Sequence, residues 1–355
     1  MAIIPRSLFD ENPILDLVDG VGQQATSFRF TLINGATGGP LAELTPIRNA
    51  SLSHSPGQTT KRQLRMALGV ADTELIDPTN NRVDVSMLLS DGTERPLGRY
   101  VFMDSPKQLF SSGQVMASSL VDEMITIDQQ ITTSINSNRR NTILVIQEVL
   151  TDFTYPLDLE ASAFTQIQTW GPGASRGQIL EALALTGGYF SPWFGNDKKL
   201  HFIQAFDPAT AVPNFNFDTG NQVLLAGITE TNDALIAPNR FMVIGNATTG
   251  IKTSAVQGIA DVPATAPHSI QNRGFVIPSV VTLPVTNNAQ AAVVARNLAI
   301  QQTIAETVTL TTSLDPRHDS YDVIIWQGQK WLEIGWSMQL VAGGTMSHTL
   351  KRYYQ

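Results

Sequence analysis

The residues around His318 are the first candidates for chemistry in this sequence. His318 stands between Arg317 and Asp319, and Asp315 lies three residues before it. A histidine beside carboxylates can act as a general base or take part in a metal pocket. The competing interpretation is a charged hairpin loop, because Asp315 followed by Pro316 is typical of a turn. No second histidine follows at the His-x-x-x-His spacing of a helical metal site, which favours the loop.

Two adjacent acids, Asp122 and Glu123, are the second candidate. A pair of carboxylates flanking a glycosidic bond is the usual machinery of sugar hydrolysis. Trp170 and Trp193 stand in Gly- and Pro-containing runs that can present aromatic rings to a sugar. The alternatives are acids at a strand end and rings buried in a core or an interface. We favour these alternatives because no partner carboxylate can be identified.

Three other histidines and the common catalytic motifs add no further site. His54, His201 and His348 stand singly, and we expect them to be surface residues or hydrogen-bonded strand residues. There is no Gly-x-Ser-x-Gly motif and no phosphate-binding Gly-rich loop after a strand. The absence of cysteine excludes disulfides, thiolate chemistry and cysteine-based metal sites. We therefore expect no catalytic, cofactor-binding or metal-binding residues, and no enzyme.

The charge of the chain limits its partners. The net charge is −8 and the pI about 5.1, so no general basic field exists to hold a phosphate backbone. Lys61, Arg62 and Arg65 form one dense basic cluster. It is predicted to be a solvated strand face, because no stacking aromatic residues are interleaved with it. Sequence-specific nucleic-acid binding is not expected, although an acidic protein can surround DNA without binding it.

The chain is also poor in charge. Only 15% of its residues are charged, against about 25% in ordinary soluble proteins. Such a surface suits packing against other subunits, and it is equally typical of a β-rich protein with Thr and Ser on its solvent faces. The N-terminus has no signal-peptide core, and no apolar run reaches the roughly 18 residues of a membrane span. We expect a soluble chain without membrane insertion, made in a reducing cytoplasm.

Period-two patterns predict strands in the first hundred residues, and mixed patterns follow. The predicted strands are residues 28–32, 45–54, 61–68 and a hairpin over 84–102 with an Asp-Gly turn. The middle of the chain reads as an α/β unit. Its predicted elements are a strand over 114–121, an ambiguous segment over 124–135, a buried helix over 141–150, a helix capped by Ser175 and ended by Gly187-Gly188, and a hairpin over 189–203.

Residues 287–355 combine a short helix with an antiparallel meander. Asn287 can cap the helix, and Gln290 occupies the reciprocal capping-box position. Apolar residues at helical spacing give the helix one narrow stripe that can lie across a sheet. Four stretches of alternating residues then follow, at 307–311, 321–326, 331–338 and 346–351. Before this unit, residues 253–284 are predicted to be a loop, because four prolines interrupt them.

Five stretches in a fixed order carry a resemblance to a known family. They are residues 91–102, with the run Asp-Gly-Thr-Glu-Arg-Pro-Leu-Gly-Arg-Tyr-Val-Phe, the strand into Leu120-Val121-Asp122, the helix that leads into 185–189, residues 238–246, and residues 340–346. This order resembles the tail hub, or baseplate hub, proteins of tailed bacteriophages, often labelled minor tail proteins. The resemblance covers most of the chain, and the order of the motifs carries it.

The resemblance implies an α+β, β-rich fold with two tube-type β-barrel-like domains and an inserted α/β region. The first such domain is expected over residues 1–106, the peripheral α/β region over 107–220, and the second β-barrel-like domain over 221–355. Residues 287–355 are then expected to resemble residues 28–102 in fold. The prediction is hub-protein architecture built from two similar β-rich halves.

The resemblance also implies a function. Family members form a homotrimeric ring at the tail tip of the virion that continues the tail tube and lets DNA pass. The ring docks onto a tail tube or distal tail protein and onto central fibre or tip proteins. Some hubs carry a fused peptidase or lysozyme domain, and no such extension is expected here. The alternative is a virion-borne carbohydrate-binding module or glycan hydrolase, a monomer using Trp193 with Asp122 or Glu123.

Overall fold

The computed structural model describes residues 25–104, 107–110, 113–218, 223–232, 235–245, 256–303 and 306–354. The N-terminus, the expected boundary at Pro106, Asn246 of the fourth family stretch and residues 253–255 of the predicted loop lie outside them. None of the helices within these ranges is long and apolar enough to cross a membrane.

The described strands are β1 (Ala25–Asn34), β2 (Pro40–Leu44), β3 (Ala50–His54), β4 (Arg62–Leu68), β5 (Asn81–Leu89), β6 (Glu94–Asp104), β7 (Lys107–Phe110), β8 (Gly113–Asp122), β9 (Ile135–Asn136), β10 (Leu157–Leu159), β11 (Thr169–Trp170), β12 (Trp193–Phe194), β13 (Leu200–Phe202), β14 (Phe215–Asn216), β15 (Val223–Asn232), β16 (Arg240–Gly245), β17 (Gln257–Asp261), β18 (Pro278–Leu283), β19 (Glu306–Ser313), β20 (Val323–Trp326), β21 (Gln329–Leu340) and β22 (Thr345–Arg352). The described helices are α1 (Val70–Thr73), α2 (Met124–Ile127), α3 (Thr142–Val149), α4 (Arg176–Gly187), α5 (Ile270–Arg273) and α6 (Asn288–Gln302).

One sheet of 14 strands dominates the structure. Its main path runs β15-β19-β22-β21-β3-β4-β8-β6-β5-β1-β2, with β7, β14 and β20 attached at its sides. The C-terminal strands join the N-terminal ones where β21 pairs with β3, with Trp336 opposite His54. β8, which begins after the boundary expected at residue 106, lies between β4 and β6. The path is open, and no closed barrel is found among the described strands.

Alternation along the strands explains the core of this sheet. In β5 every second side chain is buried, and the same holds for β4. Because successive side chains of a strand point to opposite faces, such a pattern puts one apolar face inward. The cluster formed there contains Leu64 and Val85 from the N-terminal strands together with Trp336 and Met338 from β21. Both ends of the chain therefore share one hydrophobic core.

In the α/β region, the structure confirms the predicted ends of one helix, α4, and shows that another helix, α3, is less buried than predicted. Ser175 Oγ accepts a hydrogen bond from the backbone N–H of Gln178, and Gly188 ends α4 with φ of 86°. The helix predicted over 141–150 is α3, but it is buried on one face only, and Leu144 is 53% exposed. Burial on all faces had been predicted because the residues of this helix are apolar nearly all round. The ambiguous segment after residue 123 begins with the short helix α2.

The prediction for residues 45–54 was wrong in part. Only its second half is a strand, β3, and residues 45–49 form a short connection from β2, which ends at Leu44. Pro46 in that connection forms only an isolated bridge to Leu68. A proline has no backbone N–H to donate to a ladder, so a continuous strand through this position is disfavoured.

The loop predicted over residues 253–284 was also wrong. Strands β17 and β18 flank β16 in a three-stranded sheet, and α5 lies between them in sequence. Pro278 is tolerated because it is the first residue of an edge strand. Helix α6 lies on this sheet, as its apolar stripe predicted, with Asn287 Oδ1 accepting from Gln290 N. The Gln290 side chain accepts from Thr286 N, one residue before the expected capping-box partner.

Candidate functional site

Several of the candidate residues meet in one buried polar network. It lies where β3, β4, the β12–β13 hairpin and the loop before β20 come together. We call this network the polar junction, and its residues are His54, Lys61, Arg62, Asp122, Trp193, Asn196, Asp319, Ser320 and Trp336. Every one of these side chains is buried. The fold therefore brings residues that are far apart in the sequence together at one interior site.

Arg62 lies at the centre of the polar junction. Its side chain is 1% exposed and donates to Asn196 Oδ1 at 2.5 Å and to Asp319 Oδ1. Its guanidinium also lies 5.4 Å from the ring centroid of Trp336. Burial works to lower the pKa of Arg62, but Asp319, Tyr100 and Asp122 together outweigh it and the pKa is raised. Arg62 therefore remains charged in the interior.

The prediction of a solvated basic face was wrong for two of its three residues. Lys61 is buried and donates from Nζ to Glu181 Oε1 at 2.9 Å. Arg62 shares the inward face of β4 with Leu64, because residues two apart point the same way. Arg65 on the opposite face is exposed, as predicted. The alternation that identified β4 also placed Arg62 inside.

Asp319 connects the loop before β20 to the rest of the junction. Its Oδ1 accepts from Trp193 Nε1 at 2.9 Å and from the backbone N–H of Ser320 at 2.9 Å. Its backbone carbonyl accepts from Trp336 Nε1 at 2.9 Å. Ser320 Oγ lies 2.8 Å from His54 Nε2. Burial, with Arg62 and Lys61 nearby, holds the pKa of His54 well below its usual value, so this imidazole is neutral.

The paired acids do not form a hydrolytic site. Asp122 accepts backbone N–H groups from Lys61 at 2.6 Å, Arg62 at 2.8 Å and Met124 at 3.0 Å. Glu123 accepts from Tyr155 Oη at 2.6 Å. Burial raises the pKa of both carboxyls, and neither reaches solvent. The Trp193 ring is buried too, so neither the acids nor this ring is open to a sugar.

His201 is buried next to the junction and has two carboxylate partners. Its Nδ1 lies 2.9 Å from Asp158 Oδ2, and its Nε2 lies 2.9 Å from Asp197 Oδ1. The ring stacks on Trp193 at a centroid distance of 5.2 Å. Burial works to lower the pKa of His201, but its hydrogen bonds to Asp158 and Asp197 outweigh burial and raise it to about 9. His201 is thus a hydrogen-bonded strand residue rather than a surface one.

A pH dependence follows from His201. Its pKa is about 9 in the folded chain and about 6.5 when unfolded. Its stabilisation is therefore complete below about pH 6.5 and is lost as the pH rises through about 9. Over this window the wild type should lose up to about 1.4 kcal/mol of unfolding free energy per pH unit relative to His201→Gln. Urea denaturation of both chains at about pH 6 and about pH 9.5 measures it. An equal difference between the chains at both pH values contradicts the assignment.

His318 lies in a loop, as predicted, but this loop joins β19 and β20, which do not pair as a hairpin, and the His318 side chain is buried in a second cluster. His318 Nδ1 lies 3.0 Å from Glu333 Oε2, and His348 Nδ1 lies 2.6 Å from Glu333 Oε1. Asp322 Oδ2 is 3.5 Å from His318 Nδ1. We call His318, Glu333 and His348 the His–Glu–His cluster. Helical spacing does not reveal this cluster, because a loop and two strands supply the three side chains.

Charge and burial set the protonation of the His–Glu–His cluster. Burial works to lower the pKa of His318, but Glu333 and Asp322 together outweigh burial and raise it to about 10. Burial also opposes ionisation of Glu333, yet the two histidines hold its pKa below the usual value. For His348 burial prevails and lowers the pKa. Burial raises the pKa of Asp322 to about 6.

The side chains of the polar junction and of the His–Glu–His cluster are all buried. A cavity of about 370 Å³ lies between α6, β17 and the end of β22, and Asp261, Arg296 and Tyr354 are among its lining residues. None of the residues considered from the sequence as catalytic or ligand-binding candidates lines this cavity. The polar junction therefore acts as a set of internal cross-links between the sheet, the α/β hairpin and the loop before β20.

The fold places the chain among known structures. No protein-family model matches the chain, and no curated protein matches it in sequence. A tail protein from Neisseria meningitidis MC58 matches with a TM-score of 0.58 at 13% identity, over 92% of this chain and 97% of that protein. The 43 kDa tail protein of prophage MuSo2 from Shewanella oneidensis matches with a TM-score of 0.58 at 12% identity, over 91% and 98%.

A third structure agrees with these two. The prophage tail protein gp18 from Listeria monocytogenes EGD-e matches with a TM-score of 0.59 at 10% identity, over 91% of this chain and 94% of that protein. Identities this low establish a shared fold. The chain has the β-rich fold of phage tail proteins, which confirms the resemblance predicted from the order of its motifs.

Proposed function

We propose that this chain is a structural, non-catalytic virion protein that forms a trimeric hub at the tip of a phage tail. It joins the tail tube, or a distal tail protein, to the tip and fibre proteins, and it leaves a passage for DNA ejection. The observation that carries the proposal is the shared fold, which extends over 92% of this chain and 97% of the Neisseria meningitidis tail protein.

The open sheet supports assembly into a ring. Among the described strands, β2 pairs only with β1 and β15 pairs only with β19. A sheet edge presents unpaired backbone groups, and pairing with another chain is one way to satisfy them. In the proposed trimer each copy supplies two tube-type β-rich parts, within residues 1–106 and 221–355, to which β8 adds a strand, and the rest of residues 107–220 lies at the periphery. Six such parts then continue a hexameric tube.

The charge of the chain supports passage of DNA without retention. At a net charge of −8, the assembly attracts few phosphates, so little counterion release is available to hold a duplex in place. Arg62 and Lys61, which are buried, are also unable to reach a phosphate. The proposed lumen is therefore a conduit rather than a binding site.

The trimer is tested by the mass of the purified chain in solution. Light scattering should give three times the 38.6 kDa of one chain. Leu41 on edge strand β2 is 53% exposed, and Leu41→Asp should break the trimer by placing a charge at the proposed interface. Leu144→Asp is the matched control, because Leu144 is also 53% exposed but lies on the peripheral helix α3.

Two outcomes would count against this arrangement. A wild-type chain that stays at the mass of one copy over the accessible concentration range contradicts the trimer. If both aspartate variants remain trimeric, the trimer stands and the β2 edge is not its interface.

A further inference from the structure

We propose that the His–Glu–His cluster, together with Asp322, binds one divalent transition-metal ion, with Zn²⁺ as the best match. The ion would be held by two imidazole nitrogens and one or two carboxylates. It would fasten the loop before β20 to strands β21 and β22. This inference does not depend on the proposed hub function.

The ligand atoms already converge. One ligand atom from each of His318, Glu333 and His348 lies within 4.8 Å of the other two. The two nitrogen–oxygen contacts measure 3.0 and 2.6 Å. Ligands of a tetrahedral Zn²⁺ with bonds of about 2.0–2.1 Å lie about 3.3 Å apart. Small side-chain movements are therefore enough to place one ion between them, with Asp322 3.5 Å from His318 Nδ1 as a fourth ligand.

The tautomer of His348 that would bind a metal fits its surroundings. Thr312 Oγ1 lies 2.8 Å from His348 Nε2 and can accept the proton of that nitrogen, because its own proton can go to the carbonyl of Ser313 at 2.8 Å. In this tautomer Nδ1 carries a lone pair and lies 2.6 Å from Glu333 Oε1. A metal ion bound there would use the lone pairs of both atoms.

The surroundings fit a closed metal site. Phe215 stacks on the His318 ring at 3.7 Å, and Phe217 lies 5.3 Å from the His348 ring. Thr312 holds the second nitrogen of His348, as outer-shell partners commonly do for metal-bound histidines. The ligands are nitrogen and oxygen only, and the chain has no cysteine. Two imidazoles with carboxylates suit Zn²⁺ among the available divalent ions.

His201 provides the contrast. It too is buried between carboxylates, but its two ring nitrogens point to different partners, Asp158 and Asp197, on opposite sides of the ring. No single position is therefore close to His201, Asp158 and Asp197 together. The His–Glu–His cluster differs because both Nδ1 atoms face one carboxylate, and this convergence makes a metal site.

The test uses the untagged full-length chain, treated with EDTA, dialysed and titrated with Zn²⁺ alone. We expect one zinc per chain by elemental analysis, and a melting temperature that rises with zinc, because an ion that binds only the folded chain stabilises it. Glu333→Gln keeps a similar shape but loses the charged ligand. It should weaken zinc binding by more than the roughly 10–100-fold cost of losing an outer-shell partner. His201→Gln should bind zinc as the wild type does.

A second measurement keeps the proposal falsifiable if a variant fails to fold. Co²⁺ added to the EDTA-treated wild type should give the visible absorption of a four-coordinate ion with nitrogen and oxygen ligands. A wild-type chain that binds neither ion overturns the proposal. So does a folded Glu333→Gln chain that binds zinc as tightly as the wild type, or a His201→Gln chain that loses it.

Discussion

Arg62→Met is expected to lower the free energy of unfolding by about 3–5 kcal/mol, the range measured when one partner of a buried ion pair is removed. Methionine fills much of the same space but leaves Asp319 buried without its cationic partner. Asn196 Oδ1 also loses a donor at 2.5 Å. Because Asp319 joins the loop before β20 to Trp193 and Trp336, the loss reaches several elements. Urea denaturation, read by tryptophan fluorescence, measures the change.

Arg65→Met is the matched control for this prediction. Arg65 is on the same strand but on its exposed face, where Nη2 donates to Gln63 Oε1 at 3.0 Å. A substitution at such a surface position should stay within about 0.5 kcal/mol of the wild type. Equal losses in the two variants would mean that Arg62 contributes no more than a surface arginine. The central role given to the polar junction would then be wrong.

Gly258→Ala is expected to destabilise the chain by about 3 kcal/mol, at the upper end of the usual cost of overpacking. Gly258 lies on β17 directly beneath α6. A Cβ at this position would lie 2.1 Å from the carbonyl carbon of Ala291 and 2.3 Å from the backbone nitrogen of Ala292. These are helix backbone atoms and cannot rotate away. Helix α6 must therefore move off the three-stranded sheet, and thermal denaturation should show the loss.

The control for Gly258 is Gly57, in the turn between β3 and β4. A Cβ at Gly57 meets no atom within 4 Å, so Gly57→Ala should change the unfolding free energy by no more than about 0.5 kcal/mol. Hydrogen exchange of the α6 amides adds a local readout, with faster exchange expected in Gly258→Ala alone. If Gly258→Ala matches the wild type in both measurements, α6 does not pack as closely on β17 as the structure shows.

Local patterns predicted the elements of this protein well because their causes are local. The hairpin at residues 84–102 was identifiable from alternation and an Asp-Gly turn, and it forms β5 and β6. Ser175 and Asn287 cap their helices through side chains only three residues from the groups they bind. In each case a few neighbouring residues determine the geometry, so one stretch of sequence contains the whole explanation.

The polar junction could not be predicted in the same way, because its partners are far apart in the chain. Arg62 and Asp319 are separated by 257 positions. Alternation with Leu64 shows that Arg62 points inward, but it does not show which acid lies opposite. The same holds for His318, Glu333 and His348, which meet only when a loop is folded against two strands. The loop prediction for residues 253–284 was wrong for another reason. Its four prolines were taken to exclude strands, although a proline such as Pro278 can be the first residue of an edge strand.

In the proposed assembly, three copies of this chain form an open ring at the tail tip. Electron microscopy of the purified assembly tests it most directly. We expect a ring with three-fold symmetry and an opening at least as wide as B-DNA, roughly the 20 Å duplex diameter implied by its groove depths. A particle with no through-opening, or with an opening too narrow for a duplex, would contradict the claim.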